Sequence, residues 1–140
     1  MTDESMTEEP GDLDQLLSAS LEAATRLLSV DGEFYPFAVA MTDAGELVAP
    51  AVEPESEQPT ADDVVELLLD ALRDGRDAIR AAAVVSDVTI AGDPGQERDA
   101  IRVELEPKVG DAVTVVVPYI DGPVLDEPFG MPAQRRVFDA

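Results

Sequence analysis

Leu13, Leu16, Leu17, Leu21, Ala24, Leu27 and Leu28 recur at helical spacing, and Gly32 stands where a helix would stop. The repeat predicts an amphipathic helix over residues 13–30, opened by Asp12 and Gln15 in a capping-box-like arrangement. A second helix is predicted from Thr60, with Asp63 as its capping partner. Its buried side carries Val64, Val65, Leu67, Leu68, Leu69, Ala71 and Leu72, and Gly75 marks its end. Between the two lie a candidate strand over residues 34–41, turn chemistry at Asp43-Ala44-Gly45-Glu46, and a returning strand over 47–52. Residues 50–59, rich in proline and glutamate, read as a solvated, mobile loop.

At Ile79 the period changes from helical to two. Ile79, Ala81, Ala83 and Val85 fall on one parity, and Ala82, Val84, Val88 and Ile90 on the other. A strand apolar on both faces is usually central and covered twice. Gly92-Asp93-Pro94-Gly95 ends it. Ile101, Val103 and Leu105 then alternate with Arg102, Glu104 and Glu106, and Val113, Val115, Val117 and Tyr119 form the inner face of a last strand. Residues 120–140 read as an irregular arm, and residues 1–11 as a disordered acidic tail before one domain over 12–140. The predicted fold is α+β: a two-layer sandwich with an antiparallel sheet of about five strands and both helices on one face. The second face of the Ile79–Ile90 strand is then left for the C-terminal arm or a second copy, and a homodimer is expected.

Charge and composition narrow the function classes. The chain has 140 residues, 31 acidic against 9 basic, for a net charge of −22. That balance argues against nucleic acid as a partner and points to a protein with a basic surface. Cysteine and histidine are both absent, which excludes disulfides, Cys/His metal or haem ligation, and any Ser-His-Asp or Cys-His pair. No apolar run approaches the roughly 20 residues of a membrane span, and the acidic N-terminus is unlike a signal peptide, so a cytoplasmic protein without membrane contact is expected.

Candidate chemistry is confined to carboxylates and aromatics. Asp87 interrupts an apolar strand, and a buried carboxylate there must be hydrogen-bonded or paired with a cation such as Arg80 or Arg102. It is either an acid of raised pKa at a ligand contact or, more commonly for such a residue, a charge at a strand kink that holds a neighbouring loop. Phe34, Tyr35, Pro36 and Phe37 hold half of the chain's six aromatic residues and could floor a pocket, though as a core anchor they need no ligand. The candidate ligand-binding set is Asp87, Arg102, Glu104, Tyr35 and Phe37, with no catalytic residue. The acidic loops around Asp93, Glu97 and Asp99 and around Glu53, Glu55 and Glu57 lack EF-hand order, and the Gly92–Gly95 turn lacks the frame of a phosphate loop. No metal or cofactor is expected.

The run Gly32-Glu33-Phe34-Tyr35-Pro36-Phe37-Ala38-Val39-Ala40-Met41 resembles the opening of a family of small uncharacterised bacterial proteins. The likeness continues through Asp99-Ala100-Ile101-Arg102-Val103-Glu104-Leu105-Glu106, Val117-Pro118-Tyr119 and Val137-Phe138. It implies a stand-alone cytoplasmic protein and brings no activity, cofactor or catalytic set. The expectation is a small acidic, non-enzymatic binding or accessory protein acting through protein–protein contacts. Two alternatives stand beside it: a small-ligand binder or enzyme using carboxylates near Asp87 and Glu104, and an acidic inhibitor or immunity-type protein occupying a basic groove.

Overall fold

In a computed structural model, which describes residues 11–91, 97–120 and 123–138, the first leucine–alanine repeat forms helix α1, Asp12–Asp31. Leu16, Ser20, Ala24 and Leu28 are its buried stripe, one residue per turn. The capping box expected at Asp12 does not form. Gly11 is the N-cap, without a side-chain cap, and Asp12 instead accepts a 3.1 Å hydrogen bond from Arg80. Of the expected tail only Gly11 lies within the described residues. Helix α2, Ala61–Asp74, does open with a capping box: Thr60 Oγ1 accepts from the Asp63 amide at 3.0 Å, and Asp63 accepts from the Thr60 amide at 3.2 Å.

The strands are β1 (Phe37–Thr42), β2 (Leu47–Val48), β3 (Ile79–Ile90), β4 (Arg98–Pro107), β5 (Val113–Ile120), β6 (Val124–Leu125) and β7 (Phe129–Pro132). They form an antiparallel sheet in the order β2-β1-β3-β4-β5-β6, with β7 also paired to β5. The fold is α+β, as the change of period at Ile79 predicts. The arm read as irregular supplies β6 and β7, too short to carry a periodic signal. The expected Gly92–Gly95 turn lies outside the described residues.

The helices do not share a face. Ala81, Ala83 and Val85 of β3 pack with Ile101, Val103 and Leu105 of β4 beneath Leu16, Ala24 and Leu28 of α1. The intervening Ala82 and Val84, with Ala38 and Ala40 of β1, pack against Val64, Leu68, Leu69 and Leu72 of α2. Successive strand residues point to opposite sides of a sheet, so α1 and α2 cover opposite faces. The two-helices-on-one-face arrangement is corrected on that ground. The two-sided apolar pattern of β3 has both covers within the chain, and the face on which a homodimer was expected lies under α2. Three successive alanines, Ala81 to Ala83, keep both surfaces of β3 low enough for a helix on each.

Pairing of Met41 with Ala81 and of Thr42 with Ile79 leaves Arg80 as the extra residue of a bulge. The bulge turns Ile79 into the α2-side core. It also sends the Arg80 guanidinium to Asp12 and to the Asp43 carbonyl, 3.2 Å away. No helix among the described residues is long and apolar enough to cross a membrane.

Candidate functional site

The end of α1 and the segment leading into β1 frame the larger cleft. Gly32 terminates the helix in the left-handed region, φ 78°, with its amide donating to the Leu28 carbonyl at 2.9 Å. The chain then turns through Glu33–Pro36 into β1. This turn leaves a cleft of about 800 Å³ lined by Leu27, Asp31, Glu33, the Phe34–Phe37 segment and Asp87, with Ala61 at its rim. Phe34 and Phe37 serve as both floor and core: their ring centroids lie 5.5 Å apart at 56°, and both pack against the α1-side cluster. Tyr35 lines the same cleft and is 59% exposed.

Asp87 sits in this cleft, half-buried on the α1 side of β3. The Tyr119 hydroxyl donates to its Oδ1 at 2.7 Å, and the Phe34 amide donates to the same carboxylate. Burial pushes the Asp87 pKa above its ordinary value despite both donors, with smaller contributions from Asp99 and Glu33. The cations expected to pair with it do not. Arg80 is held by Asp12 and Asp43. Arg102 is in register with Ser86, on the parity facing away from Asp87.

The candidate residues therefore divide between the faces. Tyr35, Phe37 and Asp87 share the cleft, whereas Arg102 and Glu104 lie on the α2 side of the sheet. There a smaller cavity of about 270 Å³ is lined by Glu104, Glu106 and Arg136 among others. Its carboxylates are used within the chain. Buried Glu106 accepts from the amides of Arg136 at 2.6 Å, Val137 at 3.0 Å and Phe138 at 2.8 Å, while Glu104 accepts from the Arg136 guanidinium. Arg73 Nε donates to the Arg136 carbonyl at 2.7 Å. This cavity is the seat of the C-terminal arm. Arg102 contributes only a 3.9 Å approach to Glu104.

Asp31, Glu33 and Tyr119 are the site residues that sequence reasoning passes over. Parity carries a signal for the last: Tyr119 and Asp87 both fall on the α1 side, on strands separated by one. Among the described residues no group of His, Cys, Asp or Glu is arranged to hold a metal ion. Glu53, Glu55 and Glu57 are exposed along a loop, as are Glu97 and Asp99 at the start of β4, while Asp93 lies outside the described residues. No known protein family, curated protein or solved structure matches the chain.

Proposed function

We propose that this is a small, non-enzymatic cytoplasmic binding protein that acts by contact with a partner protein presenting a basic surface. One observation carries the reading: seven of the nine basic side chains hydrogen-bond the chain's own carboxylates or carbonyls, and Arg102 and Lys108 approach Glu104 and Asp43 at 3.9 Å and 3.8 Å. Arg80 closes on Asp12, Arg98 on Asp126 at 2.9 Å and Arg136 on Glu104, while Arg135 donates to the Lys108 carbonyl at 2.8 Å. The negative charge still exceeds the positive by 31 − 9 = 22, more than the chain's own cations can neutralise. A field of one sign over so small a protein attracts and steers a partner of the opposite sign. An inhibitor filling a basic groove is the form of this reading in which the partner is an enzyme.

Small-ligand binding at the Asp87 cleft is the second reading, favoured by the cavity and by the raised pKa of its carboxylate. Capture of partners from the cytoplasm of the native cell, with parallel low- and high-salt washes, separates the two. The first predicts a basic protein retained at low salt and released at high salt. Capture of no basic protein at low salt contradicts it.

A further inference from the structure

Four features of the cleft run against what local stability would select. Asp31 occupies the last turn of α1, where the helix dipole is negative, and that turn has no basic residue. Glu33 follows it across Gly32, and Asp87 lies in the same cleft, so three carboxylates line one cavity. No ion pair among the described residues includes any of the three. Beside them Tyr35 and Leu27 are exposed at 59% and 39%, an aromatic ring and an aliphatic chain open to water at an otherwise charged rim. Local rules broken together at one place, with no compensation among the described residues beyond the Tyr119 and Phe34 donors to Asp87, mark a site whose remaining compensation comes from outside.

The chemistry of that compensation is specific. The negative helix end and three carboxylates call for a cation. Their arrangement does not suit a metal ion, which needs ligands converging on one point. An exposed tyrosine face beside carboxylates suits a planar, delocalised cation that can stack and form ion pairs at once, which distinguishes guanidinium from ammonium. The cavity is open and much larger than one side chain, so the cation arrives with flanking chain that can lie along Leu27 and Tyr35.

We propose that this cleft is the anchor of the partner contact and takes the guanidinium of an arginine on an extended basic segment of the partner, stacked on Tyr35 and paired with Asp31, Glu33 and Asp87. The inference rests on the protein-binding reading above and adds where the contact is made and by which side chain.

The chain has no tryptophan, and its two tyrosines, Tyr35 and Tyr119, are both at the site, so intrinsic tyrosine fluorescence reports on the cleft. The probe is a blocked nonapeptide with one central arginine between apolar residues, titrated to millimolar concentration. A saturable change is expected, lost when the arginine is replaced by citrulline, its uncharged isostere. Calorimetry should give about tenfold weaker binding to Asp87→Asn and to Tyr35→Ala. Tyr35→Ala alters an exposed side chain, so folding does not decide its result. Equal binding of the citrulline peptide, or binding unchanged in both variants, overturns the cleft as anchor. A lysine peptide binding as tightly overturns the guanidinium assignment, and blocked arginine alone binding as tightly overturns the extended segment. Failure of the peptide while a basic partner is still captured moves the contact to another surface, whereas failure of the capture strikes the protein-binding reading itself.

Discussion

The Tyr119 hydroxyl reaches across β4 to donate a 2.7 Å hydrogen bond to the Asp87 carboxylate, tying the fifth strand to the third. The bond favours the ionised carboxylate and partly offsets its burial. Tyr119→Phe removes the hydroxyl and keeps the ring. The Asp87 pKa should rise further, as read by carboxyl-carbon NMR titration, and stability at neutral pH should fall by about 1–2 kcal/mol. An unchanged titration would place the hydroxyl elsewhere in solution.

Asp87 also fixes a sign in the pH dependence of stability. Its folded pKa is raised above the unfolded one, so between the two values the folded state binds more protons. Stability from this group is therefore greatest below the unfolded pKa and declines as pH rises through the folded one. Glu33 and Asp99 act in the same direction, while the Tyr119 hydroxyl and the Phe34 amide oppose it. Asp87→Asn should gain on the parent protein in urea denaturation as pH rises from about 3.9, the ordinary aspartate value, towards neutrality. A variant that loses ground as pH rises contradicts this.

Glu106 is the post to which the C-terminal arm is tied. Its buried carboxylate receives three successive backbone amides, Arg136 to Phe138. Glu106→Gln turns part of the acceptor into a donor facing amide donors. A loss of about 2–3 kcal/mol is expected, with proteolysis of the arm ahead of global unfolding. Uniform cleavage across the chain would show that the arm does not open separately.

Leu16 of α1 and Leu68 of α2 are buried on opposite faces of the sheet, at 0% and 2% exposure. Truncation of either to alanine should cost about 2–5 kcal/mol by chemical denaturation. A near-neutral Leu68→Ala would mean that α2 does not cover its face.

Much of this fold was legible because periodicity depends on neighbours close in sequence. The leucine stripe of α1, the Thr60–Asp63 cap and the alternation from Ile79 onward each reflect local geometry. The placing of α2 was not legible. A two-sided strand requires two covers, and nothing local says which element supplies the second. β6 and β7 were missed because two and four residues hold too little pattern. At the site, Asp87 stood out as a charge in an apolar strand and Tyr35 and Phe37 as aromatics in a chain poor in them. Arg102 and Glu104 share a strand near Asp87 but fall on the other parity, a distinction that waited on register. The alternation that contains Glu106 carries no sign of its burial, because its partners are amides 30 or more residues away.

The salt dependence of binding tests the proposed contact most directly. Calorimetric titration of the captured partner from about 50 mM to about 500 mM salt shortens the Debye length severalfold without touching apolar contacts. A contact built on a net charge of −22 predicts an affinity that falls steeply over that range, with Tyr35→Ala and Asp87→Asn weaker throughout. An affinity that is flat or rises with salt would contradict it.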